Sequence, residues 1–363
     1  MMPILVLFTK QDDCTTKFFG IFFIWKFLIS LLREERKLMN SVEKQKTSLL
    51  EASHNSSQLP RISIITPSYN QGHFIEETIR SVLLQGYPNI EYIIIDGGST
   101  DNTVEIIKRY ENAISYWVSE PDNGQTHAIN KGLAKATGDI IAYLNSDDYY
   151  LPGTLFKVAE HFHHFPDTDL LHGMCRYINQ EGEKIGEQFG NIQKLEEILD
   201  LWDIWWKKRQ FVQPEVFWTR RITEKIGLFK EELYFVMDYD YWCRIIQAGG
   251  IVKRIDSELS CFRLTADQKS NQSQKVAHEL LDLVRPILWD KNLNISFKKR
   301  LILQGKWLYQ VKFLHMIEKS VSNSEEKLIR WVKTLTLIAQ YPKILLVSSF
   351  QARFKNWFNR LNS

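Results

Sequence analysis

From position 61 onward the chain alternates short apolar runs with longer stretches whose apolar residues recur at helical spacing. Residues 62–66, 90–95, 115–118 and 140–144 form the short runs, which suits strands buried in a parallel sheet. Residues 74–84, 103–110 and 126–136 lie between them. The helical period is clearest at Ile75, Ile79, Val82 and Leu83, and a capping residue precedes the segment that begins at Thr103. Units of strand, loop and helix in series predict a parallel sheet with right-handed crossovers. Such a sheet brings the carboxyl ends of its strands to one edge.

The polar residues that follow each run therefore fall together. The first strand empties into Pro67-Ser68-Tyr69-Asn70, the second into Asp96-Gly97-Gly98-Ser99-Thr100-Asp101, and the third into Glu120-Pro121-Asp122-Asn123-Gly124. The fourth ends at Asn145-Ser146-Asp147-Asp148, ahead of Pro152-Gly153. Adjacent carboxylates repel one another unless a cation is shared, so Asp147 and Asp148 read either as holding a hard divalent ion with a phosphate-bearing ligand or as a solvated turn that caps the next helix. The turn at Gly97-Gly98 allows main-chain groups to approach a ligand, and Asp96 can accept from a base N–H.

Outside this series the pattern changes. Residues 170–177 and 211–220 read as strands, Glu181-Gly182-Glu183 as a hairpin turn, and 193–206 as a helical segment carrying Trp202, Trp205 and Trp206. Residues 1–38 hold an apolar stretch, 18–32, broken by Lys26. It is short for a span, and reads as an interfacial anchor or as sequence upstream of a start near Met39. Residues 39–60 are a polar linker, 61–265 the main domain, and 266–363 a basic helical extension with interleaved aromatic residues. Phe354, Trp357, Phe358 and Leu361 share one helical face, as in a helix lying on anionic lipid or in a cap packed on the main domain.

Composition adds bounds. With 363 residues, 44% of them hydrophobic, the chain can bury a full core, and a net charge of +3 gives no footprint for nucleic acid. The four cysteines, Cys14, Cys175, Cys243 and Cys261, lack metal-ligand spacing and read as buried thiols of a reducing compartment.

The strings TPSYNQGHF, IIIDGGSTDNT and SEPDNGQTHAINKGLAKATGDIIAYLNSDD, in that order, resemble the family 2 glycosyltransferases, inverting nucleotide-sugar enzymes of the GT-A fold. The resemblance runs from about residue 61 to about 263. It implies an α/β domain with a Rossmann-like, mostly parallel central sheet flanked by helices. Carried over residue by residue, it puts Pro67, Tyr69 and Asn70 in the loop that closes over the nucleotide, Asp96 and Gly97 at the base, and Lys131 near the donor. Asp147 and Asp148 stand at the family's D-x-D-type position, with Asp148 as the preferred ligand of Mg²⁺ or Mn²⁺ and Asp147 beside the ribose and diphosphate. Gln213 and Pro214 would border the acceptor pocket, with ordinary edge-strand polarity as the other reading of Gln213, and the Trp-rich segment would lie over the acceptor side.

Asp238 matches the carboxylate that deprotonates the acceptor hydroxyl; its other reading is a helix N-cap, with Asp240 a first-turn charge. At a helix N-terminus its proton affinity is expected to be lowered. This sequence departs from the family at four places. Gly97 stands where many relatives have Asp, Asn145 replaces a common first carboxylate, Met237 replaces a Glu, and His127 replaces an Asp and reads as a surface or satisfied core histidine.

The implied activity moves a sugar from a nucleoside-diphosphate sugar, UDP-linked by default with GDP and dTDP as alternatives, to a hydroxyl of a saccharide or lipid-linked acceptor. It belongs to polysaccharide or glycoconjugate synthesis, in the cytoplasm or peripheral at the inner face of a membrane. A nucleotidyltransferase would want a Gly-rich basic loop after the first strand, where Pro67-Ser68-Tyr69-Asn70 stands. A non-catalytic nucleotide-sugar-binding protein would have no need of Asp96, Asp148 and Asp238 together.

Overall fold

A computed structural model describes residues 59–204, 209–266 and 268–322. The apolar N-terminal segment, the linker up to residue 58, Trp205, Trp206, Cys14 and the face formed by Phe354, Trp357, Phe358 and Leu361 lie outside the described residues. The series predicted from the period is present as β1 (Ile62–Ser68), α1 (Ile75–Leu83), β2 (Ile90–Asp96), α2 (Thr103–Arg109), β3 (Tyr116–Ser119), α3 (Gln125–Leu133) and β4 (Ile140–Tyr143). The strands β1, β2 and β4 are apolar on both faces because helices cover both, and β1 pairs in parallel with β2 and β4 while β2 pairs in parallel with β3.

After β4 the repeat is interrupted. The chain forms a two-residue strand, β5 (Tyr149–Tyr150), before α4 (Thr154–His164), and Gly153 makes that entry at φ 79°, a conformation that favours glycine. There follow β6 (Leu170–Ile178), β7 (Lys184–Phe189), α5 (Leu195–Ile198), α6 (Leu201–Ile204), β8 (Val216–Thr219), α7 (Arg220–Ile226), α8 (Met237–Gln247) and β9 (Val252–Arg263). Helices α9 (Ser273–Trp289) and α10 (Phe297–Ser322) come last among the described residues. The sheet runs β3-β2-β1-β4-β8-β6-β9-β5, with β7 on β6. Its first four strands are parallel. Beyond them β8 runs antiparallel to both β4 and β6, and β9 returns parallel to β6.

Two segments differ from their sequence patterns. The strand expected over 211–220 is confined to β8, because Gln213–Glu215 forms a 3-10 turn with Pro214 at its start, where a missing N–H costs nothing. The helical segment expected over 193–206 divides at Asp200, whose carboxylate accepts from Asp203 N (3.2 Å) and opens α6. Trp202 is buried against Tyr309 of α10, ring centroids 4.8 Å apart, and Lys306 of α10 bonds Asp200 and Asp203 at 2.6 and 2.5 Å. Helix α10 in turn holds α9, with Trp307 Nε1 donating to Leu281 O at 2.9 Å. Over the described part, then, the C-terminal helices pack on the domain. No helix of the described residues is long and apolar enough to cross a membrane. Cys175, Cys243 and Cys261 are buried, unpaired thiols, as their apolar contexts indicated.

At the amino ends of the parallel strands, Glu91 is buried and accepts from Ser63 Oγ (2.5 Å), Thr137 N (2.7 Å), Thr137 Oγ1 (2.8 Å) and Arg61 (2.9 Å). Burial opposes its charge, but these bonds outweigh burial and hold the carboxyl below its ordinary range. The stability this arrangement adds is present above the unfolded carboxyl value, about pH 4.3, and is lost as the pH falls through the lower folded value. Glu91→Ala strands Ser63 and the Thr137 amide and should cost about 2–3 kcal/mol. Urea unfolding of the two proteins at pH 7 and pH 4 measures this, and the difference between them should shrink at the lower pH.

Candidate functional site

The register of the parallel strands aligns Ser68 with Asp96 and Asp96 with Ser119, so the first three carboxyl ends stand side by side. Asp96 is fully buried. Its carboxylate accepts from Gly98 N (3.2 Å), Ser99 N (2.9 Å), Ser119 Oγ (2.6 Å) and Ser99 Oγ (2.5 Å). Four bonds use the acceptor capacity of a carboxylate. Asp96 thereby builds the loop after β2. Asn70 is likewise committed. At φ 52° it donates its N–H to Ser99 Oγ (2.7 Å) and accepts from Thr100 N (2.8 Å) through its side chain. With Gln71 N on Thr103 Oγ1 and Gly72 N on Asp101, both 2.9 Å, the loops after β1 and β2 close into one shelf. Pro67 is buried within β1 opposite Ile95, whereas Tyr69 projects from the shelf, 60% exposed.

The third loop completes this side. A side chain at Gly97 would meet the Asp122 carboxylate, 2.9 Å from a β-carbon there, so the glycine makes room for Asp122. Asp122 Oδ1 accepts from Gly124 N (2.7 Å). Lys131 is paired with Glu120, and that contact holds the Glu120 carboxyl below its ordinary range; the pair pins α3 to the end of β3. His127 accepts from Asn123 N through Nδ1 (3.0 Å), so it is a satisfied histidine at a turn.

The turn after β4 is organised from the far side of the sheet. Asp148 is 1% exposed and accepts the Arg263 backbone N–H at 2.9 Å, while its own carbonyl takes Thr78 Oγ1 at 2.7 Å. Arg263, equally buried, donates to Asp147 O (3.0 Å), Asn179 O (3.2 Å) and Gln180 O (2.8 Å) and pairs with Glu77. Asn145 joins three segments, accepting from Gln125 Nε2 (2.7 Å) and donating to Gln213 Oε1 (3.2 Å). Gln213 also donates to Tyr143 O and is buried, as is Pro214.

Asp147 is the more accessible carboxylate of the pair. Its Oδ2 lies 3.4 Å from Gln268 Nε2. Burial raises the Asp147 carboxyl, and burial followed by the Asp147 charge pushes Asp148 well up. The turn thus carries more negative charge than its hydrogen bonds compensate, and a cation fits it. Its donors are hard oxygens, suited to Mg²⁺ or Mn²⁺. Among the described residues no three His, Cys, Asp or Glu side chains converge, so protein ligands would be few, as for an ion that keeps waters and phosphates in its shell.

Asp238 sits in the first turn of α8, half-buried, accepting from Tyr239 N at 2.7 Å. Burial raises its carboxyl to about 6, aided by Glu279 and opposed by Lys269, so desolvation overrides the helix N-terminus that was expected to lower it. Asp240 is spent on Lys230 (2.8 Å) and Arg244 (2.7 Å), and Met237 is a core residue. The buried Tyr143 hydroxyl feels both Asp238 and Asp148; Gln268 Nε2 lies near Asp147 Oδ2, and the charge of the next residue, Lys269, acts on Asp238. Lys269 also lies 3.9 Å from the Tyr234 ring centroid and 3.3 Å from Gln125 Oε1.

Residues 63–227 match the model of Glycosyl transferase family 2. Over this region the chain is similar to glycosyltransferase family 2. An uncharacterized glycosyltransferase of Rickettsia typhi is 29% identical over 199 residues, which are 53% of this chain and 60% of that protein's own length. TarS of S. aureus, solved as residues 1–349 with UDP-GlcNAc, superposes with a TM-score of 0.53 at 18% identity, covering 69% of this chain and 72% of that one. The mannosyltransferase PcManGT of Pyrobaculum calidifontis, solved with GDP-Man and Mn²⁺, gives 0.53 at 17% identity over 84% and 88%. The fold is of the GT-A type.

Within the matched region and just beyond it, sequence reasoning missed Gln125, Arg263, Gln268 and Lys269. No pattern around Arg263 marks it as buried, since its partners come from three separate segments. The two adjacent carboxylates should separate on substitution. Asp148→Ala is expected to destabilise the fold by about 1–3 kcal/mol by stranding the Arg263 amide. Asp147→Ala should leave the Tm near that of the parent and abolish the shift that Mn²⁺ with a nucleotide produces. Thermal unfolding with and without those additions reads both.

Proposed function

We propose that the protein transfers a sugar from a nucleoside-diphosphate sugar to a hydroxyl acceptor by one inverting displacement, with Asp238 as general base and Asp147 at the diphosphate end. The observation that carries this reading is that two incompletely compensated carboxylates flank the consecutive residues Gln268 and Lys269, Asp147 lying 3.4 Å from Gln268 Nε2 and Asp238 standing in the field of the Lys269 charge. Other acidic groups nearby, Asp96 and Asp240, are saturated and buried.

In this reading the exposed Tyr69 ring, on the shelf made by the first two loops, stacks on the base. The acceptor oxygen forms its bond to the anomeric carbon as the bond to the diphosphate oxygen breaks, and its proton passes to Asp238. A carboxyl near 6 is ionised at neutral pH yet basic enough to take that proton. Bound Mg²⁺ or Mn²⁺ would supply positive charge beside the departing diphosphate. Asp147 is the side chain offered to that ion, with Asp148 buried behind it as the anchor of the turn. A UDP-linked donor stays the default, and GDP is the first alternative, in keeping with the nucleotides named for TarS and PcManGT. A saccharide or lipid-linked acceptor, and a peripheral seat on anionic lipid, belong to the same reading and rest on the basic, aromatic pattern of residues 323–363.

Turnover with UDP-GlcNAc or GDP-Man and Mn²⁺ tests the assignment. Asp238→Asn should lower kcat by roughly 100-fold or more while donor binding persists. For the unsubstituted protein, kcat/KM should rise with pH to a plateau, with its midpoint near 6. A product that keeps the donor's anomeric configuration would overturn the single-displacement reading.

A further inference from the structure

We propose that Glu279, on α9 and beyond the region matched by the family, is a positioning residue that holds Asp238 in place. The proposal rests on Asp238 being the base. Three consecutive backbone N–H groups converge on the Glu279 carboxylate: Tyr234 N on Oε1 at 2.8 Å, and Phe235 N and Val236 N on Oε2 at 2.6 and 3.0 Å. These residues lead directly into α8. Its N-cap position is Val236, whose side chain has no polar atom, and the helix has no side-chain cap of its own. A carboxylate is the favoured group at a helix N-terminus, and here it arrives from 43 residues further along the chain. Fixing three successive peptide units fixes where the first turn begins, and Asp238 lies two residues past the last of them.

The carboxylate is itself well anchored. Leu280 and Leu281, next to it on α9, are buried, and Trp307 of α10 bonds the Leu281 carbonyl at 2.9 Å. Glu279 also borders a cavity of about 520 Å³ beside Leu233 and Phe235, with Lys275, His278 and Asp282 of the same helix around it. The charged and titratable groups felt by Asp238 are Glu279 from α9 and Lys269 from the turn before that helix, with Tyr143 of β4 sensing the Asp238 charge in return. Glu279 raises the Asp238 carboxyl and Lys269 lowers it, so losing the Glu279 charge makes Asp238 more acidic. On this account the C-terminal helices support the catalytic carboxylate, and the edge of the matched region, residue 227, falls short of the full catalytic apparatus.

The full chain with Glu279→Gln, Glu279→Ala and Asp238→Asn tests this. Glu279→Ala should lower kcat by roughly 10- to 100-fold, as expected for a displaced reacting group, with KM for the donor unchanged. Glu279→Gln keeps an acceptor for the backbone amides and should recover most of kcat, but the rising limb of kcat/KM should move to lower pH. If Asp238→Asn abolishes turnover while Glu279→Ala keeps the parent kcat and limb, the positioning role is wrong and the base assignment stands. If Asp238→Asn retains turnover, the base assignment falls and the positioning role with it. Where Glu279→Ala does not fold, Glu279→Gln decides, and a limb at the parent position overturns the proposal.

Discussion

The buried contact between the Asp148 carboxylate and the Arg263 main chain, 115 residues apart, is the constraint on which the site depends. A guanidinium taken out of water must find acceptors for most of its five N–H groups. Arg263 finds them in the turn after β4, in the turn after β6 and in Glu77 of α1, and lies over the Phe74 ring at 4.8 Å. Once satisfied, it fixes these segments together at the carboxyl edge of the sheet. Because Arg263 is the last residue of β9, the same junction aims the next stretch of chain, with Gln268 and Lys269, back across that edge.

The acidic residues of the domain divide by how fully they are compensated. Glu91, Asp96 and Asp240 are buried and saturated with donors or cations, and they act as structural joints. Asp147 and Asp238 carry raised proton affinities from burial with too few partners to offset it. Incomplete compensation of this kind is costly to a fold, and in the proposed reading it is what links Asp147 and Asp238 to chemistry. The hydrogen-bonded chain Tyr143–Gln213–Asn145–Gln125–Lys269 connects the turn after β4 with Lys269 through side-chain amides, which orient the turn without adding charge.

In the proposed reading, function also extends beyond residues 63–227, the region matched by the family model. The region through residue 227 supplies the parallel strands and the donor-side loops, while Asp238, Lys269 and Glu279 come later. Helices α9 and α10 tie that later portion down through Trp307, Lys306 and the edge-to-face contact of Trp202 with Tyr309. Trp202 thus serves packing, and the apolar character of its segment alone did not distinguish packing from a ligand groove.

The sequence by itself determined the repeated strand-and-helix units, and with them the shared edge where Asp96, Asp122, Asp147 and Tyr69 emerge. Periodicity is a local property, and the handedness of parallel crossovers leaves little freedom beyond it. Only the tertiary structure decided which of those side chains face outward. Asp147 and Asp148 are neighbours of identical chemistry, yet β9 covers one and leaves the other accessible. Asp96 and Gln213 were legible as edge residues but not as saturated ones, since their partners lie in other loops. The proton affinity of Asp238 shows the same limit. Its helix position was readable from the sequence and pointed downward, whereas the burial that dominates comes from segments distant along the chain.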